Sequence, residues 1–208
     1  MKNNDEIKII LLGGASGVGT TSLMDRFCGK EFTQFTESSI SGYYLEFELN
    51  YKKKSYKYCI WDSGGGQEKY NTIKKMFLNG SNIILIIYSI VDRISFEGAE
   101  YWIKNVKELK EREKDDKYIL VLIANKCDLF SEQRVADEEG ENLAKKYGIE
   151  CFITSACDIS ESFKELVNKL IINYIEKGNS NPSLLEKYKP EQTFQSNLGK
   201  YLNKYINF

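Results

Sequence analysis

The apolar positions of this chain change period several times. Residues 7–12 form a short apolar run that ends on Gly13 and Gly14, the pattern of a buried strand entering a turn. Thr21-Ser22-Leu23-Met24-Asp25-Arg26-Phe27-Cys28 then opens a helix with apolar Leu23, Met24 and Phe27. Residues 43–49 alternate, with Tyr43, Leu45, Phe47 and Leu49 on one face, and residues 56–61 follow after Tyr51-Lys52-Lys53-Lys54-Ser55. So short a connection cannot house a crossover helix, so these two runs predict an antiparallel hairpin. Residues 82–90, 118–124 and 150–154 are nearly continuous apolar runs, which suit interior strands of a parallel sheet covered on both faces.

Helical spacing fills the gaps. Residues 95–114 open on Ser95 as a capping residue and carry Phe96, Ala99, Trp102, Ile103, Val106 and Leu109 on one stripe. Residues 137–147 predict a second helix, and residues 160–177 a third, with Phe163, Leu166, Val167, Leu170, Ile171, Tyr174 and Ile175 aligned. Six strands alternating with about five helices predict a doubly wound α/β sheet. Gly178-Asn179-Ser180-Asn181-Pro182 marks a domain end. The expected organisation is a domain over residues 1–178 and a tail over 179–208. In that tail Phe194, Leu198, Tyr201, Leu202, Tyr205 and Ile206 fall at helical spacing, the pattern of a helix docked on the domain, with a membrane-surface or partner helix as the alternative; four lysines against Glu186 and Glu191 carry too little charge for strong lipid attraction.

Composition narrows the field. Net charge is −1, so no global basic field argues for nucleic acid. Five cysteines without metal-type spacing and no histidine argue against a zinc site. An odd cysteine count without a signal peptide fits a reducing cytosol, with Cys59 and Cys151 as buried thiols. The opening residues 1–6 are polar and the first apolar run is too short to span a bilayer.

The candidate chemistry lies at the predicted strand ends. Gly14-Ala15-Ser16-Gly17-Val18-Gly19-Thr20-Thr21 fits the phosphate loop G-x-x-x-x-G-K-[ST] except that Thr20 stands where the lysine belongs. A strand, a glycine-rich turn and a helix start gather backbone N–H groups, and the helix dipole adds positive potential. Asn125-Lys126-Cys127-Asp128 ends the strand at residues 118–124. Its aspartate can accept the ring N–H and exocyclic amine of guanine, a donor pair that adenine lacks. Trp61-Asp62-Ser63-Gly64-Gly65-Gly66-Gln67-Glu68 brings Asp62 to the metal side and Gly65 to the γ-phosphate in a D-x-x-G turn.

From about residue 7 to 177 these motifs resemble the Ras superfamily of small GTPases, and its Rab branch most closely. The resemblance implies a P-loop NTPase three-layer sandwich, with a six-stranded, mostly parallel sheet and one antiparallel edge strand. It implies GTP/GDP and Mg²⁺ as cofactors, with Thr21, Ser39 and Asp62 on the metal. Gly14, Ala15, Ser16, Gly17, Val18, Gly19, Thr20, Thr21, Ser22 and Gly65 would surround the phosphates. Phe32, Asn125, Lys126, Asp128, Ser155, Ala156 and Cys157 would hold guanine, and Gln67 would orient the attacking water. Implied partners are exchange factor, activating protein and effectors at the switch loops, on a cytoplasmic monomer recruited to intracellular membranes through partners in vesicle traffic.

The chain departs from the family pattern in five places. Thr20 removes a charge-assisted bond of roughly 1.5–3 kcal/mol, an expected loss of about 10- to 100-fold in nucleotide affinity. Ser39-Ile40-Ser41 replaces T-I-G, and the loop after Asp62 is one residue longer: aligned from Asp62, Gly66 takes the catalytic place, and aligned from Gln67-Glu68 and the downstream Thr72-Ile73, Gln67 does, which the continuing spacing favours. Cys157 replaces the lysine of S-A-K, and no cysteine follows it for prenylation. Two readings compete: a switch with slow hydrolysis, and a pseudo-GTPase scaffold that binds nucleotide weakly or permanently without turnover. An ATP-dependent kinase is a third reading, and Asp128 argues against it.

Overall fold

The computed structural model describes residues 6–33, 43–63, 78–157 and 162–178. Ser39, Gly65, Gln67, Ser160 and the tail 179–208 lie outside the described residues.

Strands β1 (Glu6–Gly13), β2 (Tyr43–Tyr51), β3 (Lys54–Asp62), β4 (Ile83–Ser89), β5 (Ile119–Asn125) and β6 (Glu150–Ile153) form one sheet in the order β2-β3-β1-β4-β5-β6. Only β2 runs antiparallel; β3, β1, β4, β5 and β6 are mutually parallel. Every residue of β4 and β5 is buried, as expected of apolar runs with helices on both faces. The described helices are α1 (Thr20–Phe27), α2 (Arg93–Glu113), a 3₁₀ helix (Cys127–Glu132), α3 (Asp137–Tyr147) and α4 (Ser162–Gly178). Among the described residues, no helix is long and apolar enough to cross a membrane.

Two cores lie on opposite faces of the sheet. One packs Leu23, Met24 and Phe27 of α1 and Phe163, Val167 and Ile171 of α4 against Ile9, Leu11 and Ile60. Phe27 meets Phe47 edge-on at 4.9 Å between ring centroids, tying α1 to the hairpin. The other core packs Ala99, Trp102, Ile103 and Val106 of α2 and Leu143 and Ala144 of α3 against Ile10, Leu12, Ile84 and Leu122. The alternation read in residues 43–49 and the stripe read in residues 160–177 therefore meet on the same face.

Two local expectations need correction. Helix α2 begins at Arg93, capped by Asp92, whose carboxylate accepts the Ile94 N–H at 3.0 Å. Ser95 lies inside the helix, where its hydroxyl accepts the Ser89 N–H at 2.9 Å and donates to the Asp92 carbonyl at 2.7 Å. The hairpin connection is shorter than the five residues expected, since Tyr51 pairs with Lys54 and only Lys52 and Lys53 turn. Their φ angles of 47° and 62° mark a type I′ turn, which matches strand twist but costs a residue with a Cβ roughly 1 kcal/mol. Cys59 is buried as expected, and at Cys151 the thiol is buried although the residue as a whole is partly exposed.

Strand directions set the poles of the molecule. The parallel strands all end at one pole, at Gly13, Asp62, Ser89, Asn125 and Ile153. The chain leaves β1 toward β3 on one side and reaches β4 on the other, so the sheet reverses its winding there. Ligands of open α/β sheets bind at such a point. The β2–β3 turn and the end of α4 lie at the opposite pole.

Candidate guanine-nucleotide site

The phosphate loop is held from below. The N–H of Gly14 donates to the Ile87 carbonyl at 2.8 Å, so this residue serves the loop through its missing side chain. A Cβ at Gly14 would stand 1.9 Å from the Ser95 carbonyl oxygen, because the first turn of α2 presses against it. Trp102 Nε1 donates to the Gly13 carbonyl at 3.1 Å. Gly17 and Gly19 hold φ of 75° and 96°, a left-handed backbone that favours glycine. Ser16 and Gly17 are exposed and Val18 is buried, so the loop presents its middle to solvent. Gly19 caps α1, and among the described residues no side-chain capping hydrogen bond closes the helix start. The opening N–H groups of α1 thus form an anion-binding terminus.

Thr20 explains what the lysine's absence does locally. It is 5% exposed, and its methyl Cγ2 lies 3.6 Å from where a Cβ on Gly13 would sit. The side chain folds back onto the strand end and brings no cation to the loop. Next to it, Thr21 Oγ1 donates to Asp62 Oδ2 at 2.8 Å, and Asp62 is fully buried. Ser63 fastens this strand end, its Oγ donating to the Leu11 carbonyl at 2.8 Å. A carboxylate and a hydroxyl at the mouth of a phosphate loop are hard oxygen donors. They fit Mg²⁺, which takes one or two protein oxygens and completes its shell with phosphate and water.

The base loop is built onto the phosphate loop. Asn125 ends β5 fully buried, and its Nδ2 donates to the Val18 carbonyl at 2.8 Å across 107 residues of sequence. A Cβ on Gly19 would meet that amide nitrogen at 2.6 Å and Lys126 Cε at 3.9 Å. The Lys126 stem therefore lies along the loop. Lys126 adopts φ 64° and turns the chain into the 3₁₀ helix that carries Asp128, half-buried. Ser155 Oγ donates to Asp128 Oδ1 and accepts the Cys157 N–H at 3.0 Å, so the aspartate is aimed before any ligand arrives. Ala156 is buried beside it, Cys157 is exposed, and Phe32 beyond α1 is 40% exposed.

Buried polar atoms point to the same place. Among the described residues, Ser89 Oγ, Asn125 Oδ1 and Thr154 Oγ1 are buried without a hydrogen-bond partner. Ser89 and Asn125 are paired across β4 and β5, and Thr154 follows the last residue of β6. Such orphans are uncommon and are expected where a ligand or water completes the network.

The structure thus brings together Gly14, Ala15, Ser16, Gly17, Val18, Gly19, Thr20, Thr21 and Ser22 with Asp62, Asn125, Lys126, Asp128 and Ser155. Trp102 and Ser63 were not foreseen. Trp102 read as core, and only the fold shows its N–H reaching a carbonyl 89 residues away.

Comparison with known proteins agrees with this geometry. The family model for the Ras family matches residues 8–173. Ras-related protein Rab-13 of Bos taurus is 32% identical over 82% of this chain and 83% of its own length. Ras-related protein Rab-8B of Homo sapiens is 31% identical over 88% of this chain and 87% of its own. Ras-related protein Rab-11B of Dictyostelium discoideum is 34% identical over 77% of this chain and 72% of its own. Members of this family bind GTP or GDP with Mg²⁺. A phosphate loop locked to a guanine-type loop, over a sheet of this winding, makes the chain a member of the Ras family of small GTPases.

Proposed function

We propose that this protein is a guanine-nucleotide switch of the Rab type that hydrolyses GTP slowly and acts in vesicle traffic. The observation that carries the reading is the Asn125–Val18 hydrogen bond, which makes the base loop and the phosphate loop one preorganised unit. In that unit the N–H groups from Ala15 to Ser22 and the start of α1 hold phosphate oxygens. Asp128, fixed by Ser155, selects guanine, with Lys126, Ala156, Cys157 and Phe32 around the ring. Thr21, Asp62 and Ser39 would hold Mg²⁺, which neutralises charge on the β- and γ-phosphates when bound. Gly65 would sense the γ-phosphate and Gln67 would orient the attacking water. Residues 1–178 act as the nucleotide domain, residues 179–208 as an appended tail, and exchange factor, activating protein and effectors read the switch loops.

Thr20 favours slow turnover. Position 20 supplies no ammonium to the charge that develops on the bridging oxygens, where a single lost donor costs about 3–4 kcal/mol at an oxyanion site. The same observation supports the scaffold reading, in which nucleotide binds without turnover. A γ-phosphate release assay under single-turnover conditions separates the two. Slow release that disappears in Gln67→Ala is the expected result. A protein that retains GTP unhydrolysed, with Gln67→Ala indistinguishable from wild type, would establish the scaffold instead.

A further inference from the structure

The phosphate loop begins on a peptide that is held at both of its polar atoms. The Gly13 carbonyl accepts the Trp102 indole N–H at 3.1 Å, and the N–H of the same peptide, on Gly14, donates to the Ile87 carbonyl at 2.8 Å. Two elements therefore fix one peptide plane. The Ile87 bond extends the parallel ladder between β1 and β4. The indole bond belongs to no ladder. It comes from α2, 89 residues away in sequence, from a side chain that is 4% exposed.

Gly13 is also the floor of the loop. A Cβ on it would meet the Ala15 carbonyl oxygen and Val18 Cγ2, each at 3.0 Å. A tilt of the Gly13–Gly14 peptide therefore passes directly into the backbone that faces an anion. The far end of the loop is fixed by the Asn125 amide on the Val18 carbonyl. The near end is fixed by Trp102. With no ammonium from position 20, the direction of the main-chain N–H groups carries more of the grip on phosphate.

We propose that Trp102 is a positioning residue for nucleotide retention: its indole N–H, through the Gly13 carbonyl, sets the phosphate-loop N–H groups and so the dwell time of bound nucleotide. A buried indole N–H finds an acceptor in most folds, so burial alone would make Trp102 a core residue. The choice of acceptor sets it apart from its neighbours. Val106, one turn further along α2, is fully buried in the same apolar cluster and has no polar side-chain atom to offer. The role given to Trp102 rests on the reading of this pole as a guanine-nucleotide site, and it adds α2 as the element that tunes that site.

Release of a ribose-labelled fluorescent GDP from the full chain, in Mg²⁺ and chased with excess unlabelled GDP, tests it. Trp102→Phe keeps an aromatic ring in the core and removes the donor. A neutral hydrogen bond is worth about 3- to 10-fold in an equilibrium constant, and such losses fall mainly on dissociation, so release should quicken by about that factor. Val106→Ala opens a cavity in the same core and lowers the thermal midpoint, but should leave release within about twofold of wild type. In the unmutated core, the Trp102 indole N–H resonance, assigned with Trp61→Phe since these are the two tryptophans, should shift as GDP fills the site. A tryptophan serving only the core would show no such shift. Wild-type release from Trp102→Phe, an equal acceleration in Val106→Ala, or an indole resonance unmoved at saturating GDP would each overturn the proposal. Those results with normal GDP uptake would leave the nucleotide reading standing, whereas a wild-type chain that takes up no GDP would overturn both.

Discussion

Thr20 is the side chain on which the chemistry turns. Its methyl packs back toward Gly13, so position 20 brings no cation to the phosphate loop, where main-chain N–H groups and the helix start face an anion. Thr20→Lys should tighten GDP binding about 10- to 100-fold, measured as the ratio of dissociation constants, because it restores one charge-assisted bond. An unchanged constant would mean that the loop is distorted or that another cation, such as Lys69, already serves the phosphates. Gly19→Ala tests the joint between the loops. It sets a Cβ 2.6 Å from Asn125 Nδ2 at φ 96°, so nucleotide retention should be lost while the fold persists. Asp128, Asn125, Thr21 and Asp62 were legible in the sequence because each sits in a short motif at a strand end. Ser63, Trp102 and the role of Gly14 were not, because their partners are carbonyls or a helix turn that only the fold brings near.

Helix α2 shows how one element is positioned from both ends. Its first turn lies so close to the phosphate loop that Gly14→Ala would place a Cβ 1.9 Å from the Ser95 oxygen and 2.9 Å from the Ala99 nitrogen. Both are backbone atoms, so the helix must shift. The cost should be about 3 kcal/mol, seen as a fall of roughly 6–12 °C in the thermal midpoint. Further along, Glu100 joins α2 to α3, accepting Lys146 Nζ at 2.8 Å and Tyr147 Oη at 2.9 Å. The Lys146 bond and then the Tyr147 bond hold its carboxyl at about 2. A carboxyl whose folded pKa is depressed stabilises the fold above its unfolded value near 4.5 and loses that contribution as pH falls toward 2. Partial exposure limits it to about 1 kcal/mol. Glu100→Gln should therefore be less stable at neutral pH and converge on wild type near pH 2 in denaturant melts. A constant offset down to pH 2 would contradict the assignment. The hydrophobic spacing of α2 was plain in the sequence. Its start was not, since Asp92 and Ser95 are both good capping residues, and burial of the Ser95 hydroxyl against Ser89 decides between them.

The six-stranded architecture follows from runs whose burial on both faces leaves little freedom: β4 and β5 can only be interior, and β2 can only be an edge. That order gives the protein two poles, one with the loops that bind nucleotide and one with the hairpin turn and the end of α4. Strand direction was readable from connection lengths. The sharing of one corner by the lysine turn and Glu176 was not, because it joins residues 124 apart. The account as a whole depends on guanine being chosen by Asp128 while main-chain groups grip the phosphates without the loop lysine. Titration calorimetry with GDP and Mg²⁺ tests this most directly. Saturable heat with GDP, none with ADP, and loss of the GDP signal in Asp128→Ala are the results expected. Absence of heat at millimolar GDP, or equal heat from ADP, would contradict it.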